Sequence, residues 1–150
     1  MMRAVEAANK RVSYCVDLGK ATLAKPDAIA KLRLTSGEIK IALPYLHLKA
    51  ENACMSVAIN AATVEIIMFK AIELKAYGRN DPAPFTGSKF QFTAEAICCD
   101  NAELYLDREL NYKGLDADKR AALDAIPELK KPFNFIELSN HFIPPPGSKP

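Results

Sequence analysis

The 150-residue chain is poor in glycine and histidine and has no tryptophan, and these shortages exclude several classes of function. Its six glycines are scattered, so they form neither the G-x-G-x-x-G fingerprint nor a Walker A phosphate loop. The G-x-S-x-G motif of α/β-hydrolases is also missing from the sequence. The rest of the composition, with 49% hydrophobic and 25% charged residues, is typical of one ordinary globular domain.

The four cysteines lack the C-x-x-C spacing, which excludes a thioredoxin motif and a zinc knuckle. They are Cys15, Cys54, Cys98 and Cys99. Residues 1–16 are polar and lack the apolar stretch of a secretory signal, so we expect a cytoplasmic protein. Thiols stay reduced in that compartment, so we expect no disulfides and interpret each cysteine as a small buried hydrophobic residue.

The net charge of +2 is too small to indicate nucleic acid as the partner, although the charge is unevenly distributed. Residues 1–50 carry nine Lys and Arg against four Asp and Glu. A solvated basic face explains this excess, and weak binding of a polyanion or RNA through the N-terminal third is the alternative.

Apolar residues recur at intervals of three and four along most of the chain, which predicts amphipathic helices. The predicted helices span residues 3–24, 45–77, 88–110, 116–126 and 133–142. We therefore predict a mainly α fold, a bundle-like single domain of four or five helices over residues 1–143. Residues 144–150, which contain three consecutive prolines, are predicted to be an extended tail.

The segment 31–43 has a different pattern and leaves two interpretations open. Leucine and isoleucine alternate with charged residues on both sides of Gly37, which predicts a β-hairpin and makes α+β the alternative fold class. The competing interpretation is a short helix from Asp27 to Leu34, with Asp27 in its first turn.

The helix predicted over residues 45–77 is apolar on nearly every side, as expected for a central helix or a membrane span. We predict no membrane span, because Glu65 lies inside the apolar run and alanine is common there. Pro44 is placed at the first position of this helix, where its missing N–H has no effect. Small residues allow a close approach of another helix, either in the bundle or in a dimer. They are Ser56, Ala58, Asn60, Ala61 and Ala62.

The two histidines each have a glutamate one helical turn away, in the pairs His47/Glu51 and Glu137/His141. Side chains four residues apart share one face of a helix, so each pair is half of a metal site. If the two helices meet, the four side chains are sufficient ligands for zinc, manganese or iron. The alternative is an ordinary polar contact or surface ion pair at each position.

Glu65 is the candidate general acid or base, because a carboxyl group among apolar residues needs a partner or holds a proton. Alternatively, Glu65 lies at the edge of the helix, where it pairs with a basic side chain.

The function predicted from these features is non-catalytic: protein–protein interaction or assembly, with self-association through the apolar small-residue helix. The alternative is an enzyme or carrier with a site in the bundle core, in which Glu65 acts with one of the two Glu/His pairs. No cofactor is indicated beyond the metal that those pairs would bind.

Overall fold

The computed structural model describes residues 2–77 and 100–143, which form six α-helices and one 3-10 helix. The α-helices are α1 (Met2–Ala21), α2 (Asp27–Ala30), α3 (Ser36–Tyr77), α4 (Asp100–Lys113), α5 (Ala117–Asp124) and α6 (Phe135–Phe142), and the 3-10 helix is Pro127–Lys130. These two ranges contain no strand, so the predicted mainly α class is confirmed. The predictions for residues 78–99 and for the tail 144–150 lie outside the described residues.

The predicted hairpin at 31–43 is wrong, because α3 begins at Ser36 and continues for 42 residues. A capping box starts the helix: the Thr35 N–H donates to Glu38 Oε2 at 2.8 Å, and the Glu38 N–H donates to Thr35 Oγ1 at 3.2 Å. Pro44, predicted at the start of a helix, lies inside α3, where it cannot donate to the Lys40 carbonyl. The alternative short helix corresponds in part to α2, and a turn follows in which Arg33 has φ 50°.

The first predicted helix is confirmed as α1, which packs along α3. Its inner side follows a 4-3-4 spacing of Ala8, Val12, Cys15 and Gly19, of which all but the half-buried Val12 are buried. The chain leaves α1 before Pro26, and the Asn134 N–H donates to the Thr22 carbonyl at 2.8 Å. This bond joins the end of α1 to the start of α6.

The core lies between the first third of α3 and residues 112–138. It contains the buried residues Ile29, Ile39, Leu43, Leu46, Tyr112, Leu123, Ile126, Leu129, Phe133 and Leu138. We refer to residues 100–143, that is α4, α5, the 3-10 helix and α6, as the head. The head covers only the N-terminal part of α3, which at 1.5 Å per residue is about 63 Å long.

Two helix starts in the head follow from side-chain caps. Asp116 accepts from the N–H groups of Asp118 and Lys119 at 3.0 and 3.1 Å and so caps the start of α5. Asn134 accepts from the Glu137 N–H at 3.1 Å, so α6 begins at Phe135 and not at the predicted Phe133.

A cluster of three tyrosines packs α4 against α3. The Tyr45 ring stacks on Tyr112 with 4.5 Å between centroids and lies 5.7 Å from Tyr105. Burial raises the pKa of Tyr45, and hydrogen bonding with Tyr105 adds to the shift. Burial also raises the pKa of Tyr112, with Asp124 as a second cause. Both hydroxyl groups therefore stay protonated at physiological pH.

Candidate functional site

The pair His47/Glu51 lies on α3 where α1 and residues 132–135 meet it. His47 Nε2 is 3.5 Å from Glu51 Oε1, and the two side chains are only 22% and 18% exposed. The imidazole stacks on Phe135 and lies edge-on to Phe133, with centroid distances of 5.4 and 5.5 Å. Gly19 of α1 provides the space beside them, since a Cβ at that residue would lie 3.8 Å from Glu51 Oε1.

His47 Nδ1 is buried and makes no hydrogen bond in the structure. Nδ1 is therefore the unsatisfied polar atom of the pair. A buried nitrogen without a partner destabilises a fold by about 1–3 kcal/mol. Glu51 Oε1 lies beside the other ring nitrogen, Nε2. The two phenyl rings restrict the approach of a substrate to the imidazole.

The second pair, Glu137/His141, lines a pocket of about 460 Å³ between α6 and the chain that follows α1. Glu137 Oε2 accepts from Asn134 Nδ2 at 3.4 Å, and the His141 ring lies edge-on to Phe142 at 5.0 Å. Lys25 is on the opposite wall, so the pocket is lined by both an acidic and a basic side chain.

The candidate ligands do not converge. Over residues 2–77 and 100–143, which include all four members of the two pairs, no group of three His, Cys, Asp or Glu side chains could hold a metal ion. Glu65 is half-buried on α3 and lies about 20 Å along the helix axis from Glu51. The metal and catalytic roles stay predictions, and the structure gives them no shared geometry.

The expectation that the chain has no disulfides is wrong for two of the cysteines, because Cys15 and Cys54 are bonded to each other. Cys15 is fully buried on the inner side of α1, as the sequence predicts, and Cys54 lies opposite it on α3. The Arg11 Nε–H also donates to the Cys54 carbonyl at 3.0 Å. The bond and this contact fix α1 to the middle of α3.

Several basic residues of the N-terminal third bind carboxylates. Lys10 pairs with Glu6 at 2.8 Å, and Lys49 pairs with Asp124 at 2.9 Å. Of these two carboxylates only Asp124 comes from outside the N-terminal third, and it neutralises one of the lysines. The RNA-binding alternative therefore gains no support from the arrangement of these lysines.

A continuous stripe with a regular 4-3 spacing, which was not predicted from the sequence, runs along α3. It consists of Ile39, Leu43, Leu46, Ala50, Ala53, Val57, Asn60, Val64 and Ile67. This is the a/d spacing of a heptad, which places all nine residues on one side of a helix. The spacing is readable from the sequence, but the hairpin prediction divided it at residue 43.

The head covers only the first part of this stripe. Ile39, Leu43, Leu46 and Ala50 are between 1% and 5% exposed. From Ala53 onward the residues are exposed, with Val57 at 80%, Val64 at 56% and Ile67 at 61%. We call Ala53, Val57, Asn60, Val64 and Ile67 the bare stripe, which Met68 and Ile72 extend, both also exposed.

Over residues 52–68, the exposed side of α3 carries no charge. Every exposed residue from 52 to 68 is neutral: Asn52, Ala53, Ser56, Val57, Asn60, Ala61, Thr63, Val64, Ile67 and Met68. The small residues predicted to form one seam fall on two sides of α3. Ala62 is buried and Ala58 half-buried, whereas Ser56, Asn60 and Ala61 are exposed.

A pocket of about 280 Å³ lies where the covered part of the stripe ends. Leu46, Ala50 and Ala53 form its α3 side, and Leu123 and Leu129 form its head side. The Lys49–Asp124 ion pair lies at its rim. The bare stripe therefore begins at an opening lined by apolar side chains.

Among the described helices, none is both long enough and apolar enough to cross a membrane. Comparison with protein-family models, curated proteins and solved structures yields no match to this chain.

Proposed function

We propose that this chain is a non-catalytic assembly protein, and that two copies associate through the bare stripe of α3. The proposal rests on one continuous stripe that is buried in its first part and exposed in its second. Ile39, Leu43 and Leu46 are buried by the head, and Val57, Val64 and Ile67 repeat the same spacing with more than half of each side chain exposed. Exposed apolar surface of this extent is typical of an interface.

The apolar area supports a dimer of moderate affinity. Five large apolar residues of α3 contribute from each copy: Val57, Val64, Ile67, Met68 and Ile72. Burying such a side chain fully is worth about 1.5–3 kcal/mol, so ten of them, partly buried, give a gross gain on the order of 10–20 kcal/mol. Association costs roughly 4–15 kcal/mol, and a net gain of about 8 kcal/mol, which corresponds to a micromolar dissociation constant, lies within the difference between these two ranges.

The charge distribution supports a second copy of this chain as the partner. The exposed residues from 52 to 68 are all neutral, so two identical faces meet without like-charge repulsion. Their association also buries no unpaired charge, and an unpaired buried charge is a common reason for weak association. A strongly charged partner would find no complementary group on this face.

The test is the molar mass measured by light scattering between about 1 and 100 μM, a range that spans a micromolar dissociation constant. We expect the wild type to approach the dimer mass and Ile67→Glu to remain a monomer, because the new carboxylate would be buried in the interface. Ile67 is 61% exposed, so the substitution leaves the folded monomer intact.

Leu110→Glu is the matched control. Leu110 is an apolar residue of α4 with 68% exposure, and it lies off the stripe, so this variant should dimerise like the wild type. A wild-type protein that stays monomeric over the whole range contradicts the proposal, and so does equal dimerisation of the Ile67→Glu variant.

A further inference from the structure

We propose that the two copies of the dimer run antiparallel, with a twofold axis near residue 62 of α3. This inference rests on the proposed self-association and specifies its geometry. It comes from the position of the head, which covers the same stripe that the second copy would use.

The head excludes a parallel pair. Leu123, Ile126 and Leu129 pack over the covered part of the stripe, so the head occupies the layer in which a second helix would lie. In a parallel dimer both heads would fall between the two α3 helices at the same level. Each head is at least one helix diameter thick, about 10 Å, so the axes would be roughly 20 Å apart or more. Packed helices need 8–10 Å between axes, so the bare stripes would not touch.

An antiparallel pair places the heads at opposite ends. Each bare stripe then lies in the layer of the other copy's bare stripe, and only the last turn of each α3 reaches the level of its partner's head. In antiparallel heptads an a position faces a d position, and the register that overlaps the exposed segment 53–72 of the two copies pairs Val57 with Ile67 and Asn60 with Val64. This register puts the twofold axis near residue 62, as expected for an interface in which the same patch is used twice.

The pocket beside Ala53 fits this arrangement. With the axis near residue 62, Ile72 of the second copy lies level with residue 52, at the mouth of the apolar pocket between α3 and the head. The two Asn60 side chains lie on either side of the axis.

Spin labels at Lys75 test the orientation. Lys75 is exposed, so Lys75→Cys can be labelled without affecting the core, in a background with Cys98→Ser and Cys99→Ser. An antiparallel dimer separates the two labels by about 40 Å, because residue 75 lies level with residue 49 of the second copy. A parallel dimer brings them within about 20 Å.

The dipolar measurement distinguishes failure of this inference from failure of the proposed function. A distance near 40 Å supports the antiparallel dimer, and a short distance overturns the orientation while the dimer stands. The absence of any intermolecular distance at a concentration of about 100 μM overturns both, since that is far above a micromolar dissociation constant.

Cysteine cross-linking checks the same geometry through contacts. In the same background, Val57→Cys combined with Ile67→Cys should give a covalent dimer on oxidation, whereas Val57→Cys alone should not. The two copies of residue 57 are offset by about 15 Å along the axis of an antiparallel pair. Efficient cross-linking of Val57→Cys alone would show a parallel pair and overturn the inference.

Discussion

Gly19 shows how one residue controls the approach of α1 to α3. A Cβ at Gly19 would lie 3.4 Å from Pro132 Cβ and 3.7 Å from the Phe133 carbonyl oxygen, which is close to ordinary contact. Alanine is the better helix former by about 1 kcal/mol, so Gly19→Ala should raise the free energy of unfolding by up to that amount. Gly19→Leu should lower it by about 1–3 kcal/mol, because the larger side chain has no space.

Urea denaturation of the two Gly19 variants measures these changes. Both variants replace the same hydrogen of Gly19, so the difference between their free energies of unfolding reports the space available for a side chain. If Gly19→Ala destabilises the protein as much as Gly19→Leu does, the packing distances between α1 and residues 132–133 are wrong.

The Cys15–Cys54 bond should contribute measurably to the stability of the fold. It closes a loop with a sequence separation of 39 residues, for which chain-entropy models give a stabilisation of about 3–4 kcal/mol. We expect Cys54→Ser to lower the free energy of unfolding by an amount of that order, and Cys98→Ser to serve as the control. Mass spectrometry after alkylation should find Cys15 and Cys54 modified only after reduction. Alkylation of both without a reductant would contradict the bond.

The position of Cys15 could be predicted from the sequence, but its partner could not. Its place on the inner side of α1 follows from the spacing of Ala8, Val12 and Gly19. The identity of the bonded cysteine depends on how α1 lies along α3, which is a tertiary property. The bond contradicts a consequence of the cytoplasmic prediction, since structural disulfides are rare in a reducing compartment.

At the scale of the element, the start of α3 rests on the capping box of Thr35 and Glu38. Replacing a capping threonine by alanine typically lowers stability by about 1 kcal/mol. Thr35→Ala should therefore lower the free energy of unfolding by about that amount, measured in urea. Thr35→Ser keeps the hydroxyl group and is expected to retain most of the stability. Equal losses in the two variants would mean that the hydroxyl group does not cap the helix.

Glu38 also makes the start of α3 sensitive to pH. The Lys119 ammonium, 2.7 Å from Glu38 Oε1, lowers the pKa of this carboxyl group below its ordinary value of 4.5, and the Thr35 N–H adds to the effect. A group whose pKa is lower in the folded state stabilises the fold above its unfolded pKa. This stabilisation is lost as the pH falls from about 4.5 through the folded value.

The pH dependence is checked by urea denaturation of wild type and Glu38→Gln between pH 7 and pH 3. The variant should be less stable at pH 7 and should lose less stability below pH 4.5 than the wild type does. Parallel curves for the two proteins would show that Glu38 ionisation does not contribute.

The helices were predictable from the sequence wherever a cap or a long apolar period marks them, as Asp116 does for α5. The failure at residues 31–43 has a physical reason. Ile39 and Leu43 are four residues apart, so the same residues satisfy both an alternating pattern and one side of a helix. The cap at Thr35 decides between the two patterns, because it satisfies N–H groups that lack a backbone partner only at the start of a helix.

At the scale of the molecule, α3 joins a half that the head covers to a half that the proposed association would cover. Its first residues are held by the head, and the disulfide holds its middle to α1. Ala62 is the last buried residue of α3 among those described, and helices without tertiary contacts are marginal in water. The stability of α3 should therefore fall along its length in a monomer and be restored in the dimer.

Hydrogen exchange followed by mass spectrometry tests this gradient. In the wild type at a concentration that favours the dimer, amides over both residues 39–50 and residues 64–75 should be protected. In the monomeric variant Ile67→Glu, residues 39–50 should keep their protection, because the head still covers them. Residues 64–75 should exchange at least tenfold faster, since they lose the second copy and only the local helix slows exchange. The Leu110→Glu dimer should match the wild type in both segments. Equal exchange of residues 64–75 in all three proteins would show that the bare stripe is not the surface on which the copies meet.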